Sequence, residues 1–182
     1  MGRRKVRIYY GMSGSLKGTT IGAKEKCSQI MWSGIKNWKT NRDLLFPWLS
    51  KETNLNYALL HLTRLSDYKV GNLVVERGIT DMLFYEETKD PEIIQRAVLQ
   101  EQKILGDDVE IEKILLIMLD KEFIAQKVLQ EKTRREWFDG VDDYLKKQTE
   151  YLEFTKKFND ITKKVVIENA RKYLSELGIE FV

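Results

Sequence analysis

The plainest signal along the chain is an unbroken apolar run, Ile114-Leu115-Leu116-Ile117-Met118-Leu119. Continuous apolarity of this kind predicts a central strand covered on both faces, here placed at 113–119. Shorter stretches at Val6–Tyr10, Ser28–Trp32, Asn72–Val75 and Lys164–Ile167 predict four further strands. Between them the apolar positions take helical spacing. Leu55, Leu59, Leu62 and Leu65 predict a helix capped by Thr53 or Asn54 and reaching Tyr68. Asp90 and Pro91 read as the cap and first residue of a helix that runs to Leu105 and stops at Gly106. Helices are also expected over Thr19–Lys26, Met82–Glu87 with Asp81 as cap, Lys121–Lys132, Gly140–Phe158 and Asn169–Leu177. The alternation predicts an α/β fold in a single domain over 1–182, with about five parallel strands and helices on both faces. Residues 33–52 mix aromatic and basic side chains and predict no element.

The glycines change the picture at one place. Val6–Tyr10 runs into Gly11-Met12-Ser13-Gly14-Ser15-Leu16-Lys17-Gly18-Thr19-Thr20. A strand, a glycine-containing loop, a lysine and threonines opening a helix is the layout of a phosphate-binding loop. Backbone N–H groups and a helix N-terminus attract an anion, and glycine permits the close approach. Gly11, Ser13, Gly14, Ser15, Lys17, Gly18, Thr19 and Thr20 are therefore candidate ATP-binding residues. Lys17 would reach the terminal phosphates, and Thr19 would help hold Mg²⁺. The usual pattern is G-x-x-x-x-G-K-[ST]; here Leu16 takes the second glycine's place and Gly18 that of the Ser or Thr. Leu16 implies either a backbone that avoids positive φ or a re-shaped loop.

Glu76 and Arg77 close the Asn72–Val75 strand, at the same sheet edge as the loop, where ligands bind in open α/β sheets. Glu76 can contact Mg²⁺ or accept a proton; Arg77 can clamp a phosphate. Arg134 and Arg135 sit in a segment, 131–140, suited to act as a lid that brings positive charge over a transferring group. Arg64 and Tyr85 are candidates for substrate contact. Trp32, Trp38 and Trp48 read as core rather than a stacking wall, and His61 as structural.

Charge and composition mostly exclude. Charged residues make up 32% of the 182 but leave a net +3, too little to argue for a nucleic-acid surface. The lone Cys27 cannot form an internal disulfide, which fits a reducing, cytoplasmic setting. The longest apolar run is far short of a membrane span, and the basic start lacks a signal-peptide segment. One histidine and one cysteine leave no zinc-type site.

Together these residues resemble the P-loop nucleoside and nucleotide kinases, most nearly the thymidylate kinase group. Lys17-Gly18-Thr19 is similar to the adenylate kinase form of the loop. Leu60-His61-Leu62-Thr63-Arg64 resembles the thymidylate kinase helix whose arginine faces the base. The segment Glu76 to Tyr85 resembles that family's Asp-Arg segment, with the Glu-Arg opening of deoxynucleoside kinases. Gly78 departs from the bulky residue or serine usual there, and no acidic motif follows the second strand. The resemblance implies a three-layer P-loop kinase fold, ATP and Mg²⁺ as cofactors, and a nucleoside monophosphate as acceptor. A deoxynucleoside acceptor on the same fold, or a nucleotide-binding protein without turnover, stay open as alternatives. By the same analogy a helix-mediated homodimer is expected, and compact kinases of this sort are expected in phage genomes, which would place the chain in a host cytoplasm.

Overall fold

The computed structural model describes residues 4–26, 29–32, 56–68 and 71–180. The segment 33–52, the caps Thr53 and Asn54, and Leu55, Cys27, Trp38 and Trp48 lie outside the described residues.

Five strands form one all-parallel sheet: β1 (Arg4–Tyr10), β2 (Ile30–Met31), β3 (Leu73–Glu76), β4 (Val109–Met118) and β5 (Lys163–Ile167). Their spatial order is β2-β3-β1-β4-β5. Alternation along β1 divides the core between two faces. Val6, Ile8 and Tyr10 pack in a cluster with Tyr144 and Tyr151. Tyr9 joins Val74, Ile114, Leu116 and Ile21 of helix α1 (Lys17–Lys24) in a separate one. The first face carries α2 (Asn56–Ser66), α3 (Ile79–Tyr85), α4 (Pro91–Leu105) and α7 (Val141–Phe158), which contact one another. Ala58, Leu62, Leu83, Ile94 and Ala97 fill the space between α2, α3 and α4. The opposite face carries α1, joined to α8 (Ala170–Glu176) where Thr20 Oγ1 meets the Tyr173 hydroxyl at 3.2 Å. The result is the three-layer α/β arrangement that the alternation implies. Among the described residues no helix is long and apolar enough to cross a membrane.

Four of the departures from the expected elements have a clear physical reason. β4 begins at Val109, not at 113, because its charged first half pairs across the sheet rather than being buried. Glu110 meets Lys5 at 3.4 Å and Glu112 meets Arg7 at 2.7 Å. Helix α1 starts at Lys17, two residues early, because Leu16 adopts the left-handed cap conformation. Asp81 does not cap α3 from outside: Gly78 is the N-cap, and Asp81, inside the helix, accepts the Gly78 N–H at 3.0 Å. The stretch 121–132 is not one helix. A short α5 (Lys121–Phe123) passes into a π-turn at Ile124–Val128, closed by Leu129 N–H to the Ile124 carbonyl at 2.9 Å. A separate α6 (Lys132–Trp137) then occupies the segment expected to act as a lid.

Candidate phosphate-binding site

The loop leaves β1, the strand paired on both sides, and enters α1 at the C-terminal edge of the sheet. Two glycines are needed there by close approach as well as by conformation. Gly11 has φ 146° and a Cβ on it would lie 2.7 Å from the Leu116 carbonyl; Gly14 has φ 89° and its Cβ would lie 2.6 Å from Val128 Cγ1. Leu16 takes φ 61°, the left-handed region, in the place of the missing glycine. The loop therefore keeps the turn and accepts backbone strain of about 1 kcal/mol, while the Leu16 side chain packs against the core.

Lys17 folds back over the loop. Its ammonium donates to the carbonyls of Gly11 and Met12, both at 2.7 Å, and to Ser15 Oγ at 3.2 Å. The side chain is buried, and that burial, helped by the charges of Arg77 and Arg134, pushes its pKa down to about 7. Asp81 and Glu76 pull the other way. Added negative charge in the cleft would raise the Lys17 pKa. Of the two threonines, Thr20 is buried and its hydroxyl donates to the Leu16 carbonyl at 2.8 Å, a structural use. Thr19 is exposed and lines the cleft.

Ser13 is gripped by three elements. Its N–H donates to the Tyr85 hydroxyl at 2.7 Å, its carbonyl accepts from the Tyr144 hydroxyl at 3.0 Å, and its Oγ accepts from Arg134 Nε at 3.1 Å. Arg134 also pairs with Glu131 at 3.2 Å. Helix α6 thus lies down on the loop through Arg134. Arg135, one residue on, is exposed and does not line the cleft.

Glu76 and Arg77 come to the same place. The Arg77 N–H extends the β1–β3 ladder to the Tyr9 carbonyl at 2.9 Å, and Arg77 itself has φ 71°. Its guanidinium carbon lies 5.1 Å from the Tyr85 ring centroid, and its Nε is buried without a hydrogen-bond partner. Gly78 is required by bulk rather than by φ: a Cβ there would fall 2.2 Å from the Tyr10 hydroxyl. Behind this turn stands a buried polar frame. Asp81 accepts from Tyr151, and burial raises its pKa. Glu101 takes both the His61 ring at 2.6 Å and the Ile79 N–H at 2.8 Å. His61 is structural, as expected.

These groups line a cleft of about 440 Å³: Ser13, Gly14, Lys17, Thr19, Glu76, Arg77 and Arg134, with Lys127 added from the π-turn. Arg64 is half-buried on α2 and lines neither this cleft nor the aromatic one beside Tyr85. Trp32 is 40% exposed and lies 3.8 Å from the Cβ position of Gly18, so it flanks the loop instead of joining the core. Tyr144, Val128 and Lys127 are the contributors that pattern reading missed. Tyr144 was visible only as part of an apolar stripe; nothing local marks its hydroxyl as a loop ligand.

Among the described residues no group of three His, Cys, Asp or Glu side chains is gathered to hold a metal. Glu76 and Thr19 both line the cleft and bring oxygen donors of the kind that suit Mg²⁺, an ion that takes one or two protein oxygens and otherwise water and phosphate. No protein-family model matches the chain, and no curated protein matches it.

Proposed function

We propose that this chain is an ATP-dependent phosphotransferase that moves the γ-phosphoryl group to a nucleoside monophosphate. The observation that carries the reading is the convergence of Lys17, Arg77 and Arg134 with Glu76 on one cleft at the edge of the sheet. A cleft lined by Lys17, Arg77, Lys127 and Arg134 is suited to polyphosphate, and phosphoryl transfer is catalysed chiefly by positioning and charge.

In this reading Lys17 and the loop amides hold the β- and γ-phosphates. Arg134, delivered by α6, covers the transferring group and excludes water. Mg²⁺ entering with the nucleotide would be held by Glu76, directly or through water, with Thr19 beside it, and would neutralise charge on the β- and γ-oxygens. Arg77 holds the acceptor phosphate through donors that include its unpartnered Nε. An acceptor oxygen bonds to Pγ as the bond from Pγ to the β-phosphate oxygen breaks, and ADP leaves with that electron pair. A phosphate acceptor brings a nucleophilic oxygen that needs no deprotonation. A deoxynucleoside acceptor, the second reading, would need its hydroxyl proton removed, for which Glu76 on the cleft wall is the candidate. Loss of turnover on this fold is the third.

The test is an ADP-release assay with Mg²⁺-ATP against all nucleoside monophosphates and deoxynucleosides. Turnover on a monophosphate is expected, reduced at least about 10²-fold in Lys17→Ala. Turnover on nucleosides alone would move the assignment to the second reading, and tight ATP binding without transfer to the third.

A further inference from the structure

A second cleft, of about 500 Å³, adjoins the first and takes no part in the transfer just described. Its walls include Met12, Phe84, Tyr85, Trp137, Phe138 and Phe154. The walls are aromatic rather than aliphatic, which suits a flat ring. Tyr85 and Trp137 lie 6.1 Å apart at 38°, and Phe84 meets Tyr85 edge-on at 5.9 Å. Trp137 is 45% exposed, an unusual cost for so large an apolar side chain. It is nonetheless held in place: Lys147 Nζ donates to the Trp137 carbonyl at 2.6 Å and lies over the Phe138 ring.

A polar observation is independent of the rings. Thr88 lines this cleft, and its Oγ1 is buried with no hydrogen-bond partner. A hydroxyl left in that state is expected to find a partner when a ligand arrives. The rim carries Glu87 and Glu150 together with Lys89, so its charge is mixed. Mixed charge disfavours an anion and suits a heterocycle with both donors and acceptors on its edge.

Position supplies the last step. Tyr85 lines the aromatic cleft and touches two residues of the first: its hydroxyl accepts the Ser13 N–H, and Arg77 lies against its ring. A molecule with its ring in the aromatic cleft would have an anionic end within reach of Arg77. We infer that the aromatic cleft receives the nucleobase of the acceptor, with Trp137 as its stacking surface and Thr88 as a hydrogen-bonding contact. The word acceptor rests on the phosphotransfer reading; binding of the base does not.

The experiment pairs binding with kinetics. Nucleoside monophosphates are titrated against intrinsic tryptophan fluorescence of the wild type and Trp137→Phe, a change that keeps a ring but removes the reporter. Acceptor and ATP KM values are measured for Trp137→Ala and Thr88→Val. Saturable quenching that largely disappears in Trp137→Phe is expected. The acceptor KM should rise about tenfold in Trp137→Ala, the worth of one stacked base, and several-fold in Thr88→Val, with ATP KM unchanged. If Trp137→Ala fails to fold, Thr88→Val carries the kinetic test. Wild-type turnover with the acceptor KM unmoved in the folded variants would overturn the base site and leave phosphotransfer standing. Absence of turnover with quenching that depends on Trp137 would overturn phosphotransfer and keep the base site. Absence of quenching by every nucleoside monophosphate would overturn the inference.

Discussion

A lysine whose pKa sits at about 7 is half-charged at neutral pH, and in Lys17 this follows from burial beside two arginines. If the cleft binds nucleotide as proposed, the phosphate charge would raise that pKa, so above pH 7 the protein would take up a proton on binding. Affinity for Mg²⁺-ATP should therefore be nearly flat below pH 7 and fall about tenfold per pH unit above it. Calorimetric titration in two buffers of different ionisation enthalpy measures both the affinity and the proton uptake. A flat profile to pH 9 would mean that Lys17 stays charged in the empty loop. Two neighbouring residues show what the sequence could tell at this scale. Gly11 and Gly14 were readable as turn residues, because only backbone freedom and space are at stake. Leu16 was not, because a leucine in the left-handed region contradicts its own preference and is settled by packing from elsewhere in the chain.

Helix α6 brings two adjacent arginines to the site's edge, but the rotation of about 100° between successive helix residues gives them different surroundings. Arg134 bonds Ser13 Oγ and lines the cleft; Arg135 is exposed. Arg134→Ala should lower kcat about 10²-fold, whereas Arg135→Ala should change it less than about threefold, the scale of a surface substitution. Steady-state kinetics of the two variants side by side checks this; equal losses would place Arg135 over the transferring group as well. From the sequence the pair could only be taken together, since a charge pattern gives no helix phase in so short an element. Longer elements were more legible. Asp90-Pro91 fixed the start of α4 and Gly106 its end, because capping chemistry is local. The break within 121–132 was hidden, because a π-turn differs from a helix by hydrogen-bond register and not by composition.

For the molecule as a whole, the parallel sheet and its layers followed from periodicity, since burial on both faces imposes apolarity directly. The buried frame beneath Glu76-Arg77 did not, because its members are scattered along the chain and each is unremarkable alone. Glu101 on α4 ties α2 through His61 and α3 through the Ile79 N–H. Replacing His61 by alanine leaves a buried carboxylate short of a partner and should destabilise the fold by about 3 kcal/mol, roughly 6–12 °C in Tm. Thermal melting checks the loss, and Mg²⁺-ATP affinity of the folded protein should be unaltered. The π-turn, finally, bears on how this chain can change in length. One surplus residue per turn is what an insertion leaves in a helix, and it is here that Val128 is brought against Gly14. A one-residue deletion within Ile124–Val128 would return the turn to ordinary α geometry and swing Val128 about 100° around the axis. The loop would lose its roof although Lys17, Arg77 and Arg134 all remained, so descendants of this sequence should tolerate substitution in the π-turn far better than a frame-preserving codon loss.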